Sequence, residues 1–183
     1  MKNLTVLVDL DDVLWHLLEP WVAMINNMHK TDVHYGCVTD WKIAKFFPSL
    51  TVEQVFSPLF KEDFWNNVQP VYNGRWFIQN LLNDGHRVKI VTATLSENVP
   101  VKMKRFFKLY PMLSWNDVTI THDKQSVNGD VLIDDAPHNL EGGSYHKILF
   151  NQPHNRHYDT TQHGITRVYN LSEAYLEILR LCS

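Results

Sequence analysis

The 183-residue chain is predicted to fold as an α/β protein, a parallel sheet flanked by helices with a small, mostly helical cap inserted after the first strand. Three observations carry this prediction. From residue 73 onward, short apolar runs of β-favouring residues alternate with segments of helical periodicity, as right-handed crossovers between parallel strands require. The first such run, Val6, Leu7 and Val8, is apolar without polar alternation, as strands buried on both faces are. Between residues 31 and 71 that regularity stops. Aromatics crowd together there (Tyr35, Trp41, Phe46, Phe47, Phe56, Phe60 among them), and no strand-like alternation is present.

Taken in order, the elements follow from local signals. Leu17, Leu18, Trp21, Val22, Ile25 and Met28 give residues 15–30 an amphipathic helical face, interrupted or started near Pro20. Thr51-Val52-Glu53-Gln54 has the form of a capping box and opens a helix through about residue 60. A helix over residues 74–83 stops at Gly85, the residue type best suited to a left-handed C-terminal cap, and residues 87–91 form the next strand. The helix at 99–109 is stopped by Pro111. Further strands are expected at 118–121, 131–133 and 146–150, and Ser172 is expected to cap the last helix. Residues 151–164, rich in His, Asn, Gln and Thr, form the longest loop. The division that results is a core of 1–18 plus 72–183, with 19–71 as the cap.

Composition excludes several function classes. With 17 basic and 20 acidic residues, a net charge of −3 leaves no broad cationic face for duplex nucleic acid. The two cysteines, Cys37 and Cys182, lie far apart and outside any CxxC pattern, which disfavours a disulfide framework or a thiolate zinc site. No apolar run approaches the ~20 residues that span a bilayer, and no hydrophobic leader precedes the first strand. A soluble, cytoplasmic protein is expected; its oligomeric state, a homodimer included, is open.

The chemistry concentrates where strands end. In a parallel sheet ligands bind beyond the carboxyl ends of the strands. Asp9 and Asp11, Thr92, Lys124, and Asp134 with Asp135 each fall just past such an end. A solvated acidic turn would explain any one of these groups, but together they form a phosphoryl-transfer set. Asp9 can attack phosphorus, Asp11 can protonate the leaving alkoxide and later activate water, and Thr92 and Lys124 can bind non-bridging oxygens. Clustered carboxylates repel unless a cation joins them, and Mg²⁺ is the simplest such cation.

On these motifs, Asp9-Leu10-Asp11-Asp12-Val13, Thr92, Lys124 and Asp134-Asp135, the sequence resembles the haloacid dehalogenase (HAD) superfamily of aspartate-nucleophile phosphohydrolases. Through Leu132-Ile133-Asp134-Asp135, Thr121-His122-Asp123-Lys124, and Phe150 followed by His154-Asn155-Arg156-His157, it is similar within that superfamily to the 5′(3′)-deoxyribonucleotidases. The resemblance implies a Mg²⁺ ion held by Asp9, the Asp11 main-chain carbonyl and one carboxylate of the late pair, Asp135 ahead of Asp134. It implies phosphate contacts from Thr92, Ala93 and Lys124, and cap aromatics stacked on the base of a small nucleotide substrate, with Phe64 and Trp65 nearest those positions. Three departures stand out: Asp12 where glycine is usual, Leu17 where an aromatic is frequent, and Ala93 where serine is frequent. The alternatives are a HAD phosphatase for another small ester, such as a sugar phosphate, and a non-catalytic binding protein on the same fold.

Overall fold

The computed structural model describes residues 2–182. Its strands are β1 (Thr5–Val8), β2 (Arg87–Thr92), β3 (Val118–Ile120), β4 (Val131–Asp134), β5 (His146–Phe150) and β6 (Ile165–Val168). All pair in parallel in one sheet of order β3-β2-β1-β4-β5-β6. The unbroken apolar strings of the central strands follow from burial on both faces. Val6 and Val8 join Ile90, Ile133 and Ile148 in the larger core cluster, while Leu7 joins Val91, Leu132 and Leu149 in the smaller one.

The helices are α1 (Leu18–His29), α2 (Val52–Phe56), α3 (Glu62–Asn67), α4 (Gly74–Asn83), α5 (Val99–Leu109), α6 (Pro137–Leu140) and α7 (Leu171–Leu181). α1 begins at Leu18 rather than at residue 15, because Trp15 is held in backbone bridges to Asp11 and Pro70. Pro20 therefore falls in the first turn, where its missing N–H goes unneeded. The Thr51–Gln54 capping box forms as expected, but α2 ends at Phe56 and tightens into a 3₁₀ turn over Ser57–Phe60 that contains Pro58. Gly85, at φ +82°, takes the left-handed position after α4.

Two expectations are corrected. Asn170, not Ser172, caps α7: its side chain accepts from Glu173 N at 2.9 Å, and Leu171, 1 % exposed, packs into the core as the first helical residue. β6 is a strand that the sequence reading lacks, since Thr166 and Arg167 break its apolar run on an edge position that pairs only with β5.

Strand order positions the site. From β1 the chain passes through α1–α3 and α4 to β2, then on to β3, before crossing to β4 on the other side of β1. Connections thus diverge between β1 and β4, opening a crevice at their carboxyl ends. The segment carrying α1–α3 leaves and rejoins through paired connections: His16 N donates to Gln69 O and Val71 N to Leu14 O, each at 2.9 Å. No helix among the described residues is long and apolar enough to cross a membrane.

Candidate active site

At the β1/β4 crevice three buried carboxylates converge. Oxygens of Asp9, Asp134 and Asp135 all lie within 4.8 Å of one another. Lys124, opening the 3₁₀ turn after β3, places Nζ 2.7 Å from Asp9 Oδ1 and 2.6 Å from Asp134 Oδ2. Asp134 also accepts from Ala136 N at 2.8 Å and Asn139 Nδ2 at 3.0 Å, so both of its oxygens are engaged within the protein. Burial pushes the Asp9 carboxyl well above its usual range; Lys124 pulls it back, and the neighbouring aspartates push it further up. Burial likewise raises Asp135, with repulsion from Asp134 added and Lys124 opposing. Burial alone would depress the Lys124 ammonium, but Asp9 and Asp134 outweigh it and hold the group protonated.

A second buried ammonium faces the other catalytic candidate. Lys102, on α5 and 1 % exposed, donates to Asp11 Oδ2 at 2.7 Å, Thr92 Oγ1 at 3.0 Å and the Ala93 carbonyl at 3.2 Å. Trp15 Nε1 donates to the remaining Asp11 oxygen at 2.8 Å. The sequence reading does not single out Lys102, although its place four residues before the buried Phe106 sets it on the apolar face of α5.

Asp12 explains its own departure from glycine. It adopts φ +54°, which asparagine and aspartate tolerate better than other side-chain-bearing residues. Its carboxylate accepts from Leu17 N at 2.8 Å and Leu18 N at 3.0 Å, capping α1 from a distance. Burial, then repulsion from Asp135, raises this carboxyl to about 7 against those two hydrogen bonds. The 151–164 loop braces the crevice: Gln152 Nε2 donates to the Asp12 carbonyl at 2.6 Å, and Asn155 Nδ2 to the Asp135 carbonyl at 2.7 Å. From the same loop, His154 Nε2 lies 2.9 Å from Asp135 Oδ2, but out of hydrogen-bonding alignment. Burial depresses the charged form of this ring.

Above these groups lies a cavity of about 640 Å³, well within the range of small-molecule sites. Asp9, Asp11, Asp135, Lys102 and Lys124 line its floor, with Ala93 and Thr94 beside them. Asp134 and Thr92 lie behind that lining, and Thr92, fully buried, meets the site through Lys102. Of the two aromatics singled out in the sequence, Trp65 lines the cavity. Phe64 does not; it packs edge-on against Trp65 with ring centroids 5.2 Å apart. The cavity also exposes Trp41, 55 % accessible and set edge-on between His138 and His154. No periodicity marks that residue in the sequence. The donor set suits a hard divalent cation: only oxygens converge, and one ammonium among three carboxylates leaves negative charge to neutralise.

Solved structures share this fold. A HAD family hydrolase from Deinococcus radiodurans R1, solved with bound phosphate and sodium, superposes with a TM-score of 0.64 over 96 % of this chain and 95 % of that one, at 13 % identity. A HAD hydrolase from Bacillus subtilis bound to magnesium superposes at 0.60 over 97 % and 99 %, at 14 % identity. The fold is that of HAD-class hydrolases, and the family match and the curated relatives make the chain a phosphoric monoester hydrolase of that class. More narrowly, the chain belongs to the family described as 5′ nucleotidase, deoxy (pyrimidine), cytosolic type C protein, whose family model matches residues 3–182. Relatives include the 5′(3′)-deoxyribonucleotidase of Bacillus subtilis, 27 % identical over 95 % of this chain and 98 % of its own length. That of Clostridium acetobutylicum is 29 % identical over 85 % and 86 %.

Proposed function

We propose that the protein is a Mg²⁺-dependent phosphatase that hydrolyses deoxyribonucleoside monophosphates to deoxyribonucleoside and inorganic phosphate through an aspartyl phosphate on Asp9. The observation that supports this best is the pairing of Asp9 and Asp11 with one buried ammonium each, beneath a cavity walled by cap aromatics. In the first step an Asp9 oxygen bonds to phosphorus as the bond to the leaving oxygen breaks, and the Asp11 carboxyl passes its proton to that oxygen. In the second, water attacks phosphorus, Asp11 takes its proton, and the bond to Asp9 breaks. Lys124 compensates charge on the transferring group, and the Ala93–Thr94 corner that lines the cavity receives its non-bridging oxygens, with Thr92 behind it bonded to Lys102. Asp9, Asp135 and the Asp11 main-chain carbonyl would hold Mg²⁺, which supplies charge neutralisation between nucleophile and phosphate.

Residues 19–71 serve in this reading as the cap that meets the base. Trp41, exposed in the cavity, is the better stacking surface, because Trp65 is only 2 % exposed and already faces Trp15 and Lys102. Phosphate release from a panel of deoxynucleoside monophosphates and sugar phosphates, with and without Mg²⁺, tests the proposal. Deoxynucleotides should be preferred and chelation should stop turnover. A preference for sugar phosphates would reassign the substrate, and no release from any ester would leave a binding protein.

A further inference from the structure

We propose that Lys102 is the positioning residue for proton transfer by Asp11, and that α5 ties this function to the cap. The proposal rests on the reading of Asp11 as the group that carries the proton.

An ammonium has three protons, and Lys102 Nζ meets three acceptors: Asp11 Oδ2, Thr92 Oγ1 and the Ala93 carbonyl. The side chain is thus fixed in one orientation with no donor left over. Asp11 is gripped at both oxygens, by Lys102 on one and Trp15 Nε1 on the other. A carboxylate held in this way cannot rotate freely. Two of its four lone-pair sites are taken, and the remaining ones are set in direction relative to the cavity that Asp11 lines. As the proton leaves Asp11 for the departing alkoxide, negative charge appears on oxygens that already face a buried ammonium and an indole N–H. Donors fixed in advance at the place where charge develops favour the transition state over the ground state.

The cap takes part. The Lys102 ammonium sits 5.5 Å from the centroid of Trp65, on α3, and 6.0 Å from that of Trp15, within the range of cation–π attraction. Three residues further along α5, Arg105 donates through Nε at 3.0 Å and Nη2 at 2.6 Å to the carbonyl of Val68, where the chain leaves the cap. One helix therefore holds the acid/base group, the ring that shields its partner from water, and the connection on which the cap is mounted.

The test uses the leaving group. For the full-length Mg²⁺-loaded protein, kcat/KM is measured across aryl and alkyl phosphate monoesters that carry no nucleobase, from p-nitrophenyl phosphate to simple alkyl esters. The p-nitrophenolate leaves without a proton, whereas an alkoxide needs one. Wild type should depend only weakly on leaving-group basicity, and Asp11→Asn steeply. Lys102→Met should shift toward Asp11→Asn, raising the p-nitrophenyl to alkyl ratio of kcat/KM by about tenfold or more, given that general acid catalysis contributes about 10²–10⁴. Trp15→Phe, which removes one donor and keeps the ring, should move the same way by less. It carries the test if Lys102→Met does not fold, as judged by melting curves. Losses equal across the series, with the wild-type dependence unchanged, would overturn the positioning role while leaving Asp11 in place. A wild type already as steep as Asp11→Asn would overturn the acid/base role of Asp11, and this proposal with it.

Discussion

The Lys124 ammonium lies 2.7 Å from Asp9 Oδ1, and both groups are almost wholly removed from water. Removing one partner of such a pair strands the other charge in a medium that cannot solvate it. Lys124→Met should therefore destabilise the metal-free protein near neutral pH by about 3–5 kcal/mol, and Mg²⁺ should restore part of the loss. Activity should fall by about a hundredfold or more, since charge compensation on the phosphoryl group goes too. Urea unfolding with and without Mg²⁺ checks the first point; an unchanged midpoint would argue that Lys124 is solvated.

The carboxylates make an unusual pH dependence. Asp12 titrates at about 7 in the folded chain against 3.8 for the ordinary group, and Asp9 and Asp135 are raised in the same direction. A carboxyl whose folded value exceeds its unfolded value adds stability fully below the unfolded value and loses it as pH rises through the folded one. The metal-free protein should therefore melt higher at about pH 5.5 than at about pH 8. In the proposed reading Mg²⁺ binds the ionised set, and it should then raise the melting temperature more at the higher pH. Calorimetry at both values, with and without Mg²⁺, decides; a metal-free melting temperature that climbs from the lower pH to the higher would contradict the assignment.

Asp12 combines a cap, a left-handed backbone and a repelled charge. Asp12→Ala loses the cap and keeps the strain, and should cost about 1–3 kcal/mol. Asp12→Asn keeps an oxygen for Leu17 and Leu18 and a residue type that tolerates positive φ, while removing the repulsion with Asp135. Without metal near pH 8 it should be as stable as wild type or more so. If asparagine proved as damaging as alanine in thermal melts, the cap would not be the role of Asp12.

The proposed function gives base recognition to Trp41, which lines the cavity, rather than to Phe64, which is not part of its lining. Stacking on an aromatic contributes about 1–3 kcal/mol per base, so Trp41→Ala should reduce kcat/KM for deoxynucleotides by about ten- to a hundredfold and shift p-nitrophenyl phosphate far less. Phe64→Ala, in a fully packed position, should lower the melting temperature and reduce both substrates in parallel. Side-by-side kinetics on the two esters separate these outcomes; a selective nucleotide loss in Phe64→Ala would return that ring to the base site.

Much of the candidate catalytic edge is legible in the sequence because apolar strands in a parallel sheet announce their own ends: Asp9 follows β1 directly, Asp134 closes β4, and Lys124 comes shortly after β3. What escaped has physical reasons. Lys102 shares α5 with Lys104, Arg105 and Lys108, and a row of basic residues reads as a solvated face until packing turns one of them inward. Trp41 sits in irregular chain, where no period tells an exposed ring from a buried one. β6 is a short edge strand with a polar centre, and Asn170 displaced Ser172 as the cap because burial of Leu171 fixed where α7 begins.

Covalent participation of Asp9 is the central claim, and acid-quenched turnover followed by peptide mass spectrometry tests it most directly. During steady-state hydrolysis of a deoxynucleoside monophosphate, a single phosphoryl adduct should appear on the peptide containing Asp9 and vanish when substrate is exhausted. It should be absent from Asp9→Asn, which should also be inactive although nearly isosteric. An adduct on a different residue, or near-normal turnover by Asp9→Asn at saturating Mg²⁺, would contradict the account.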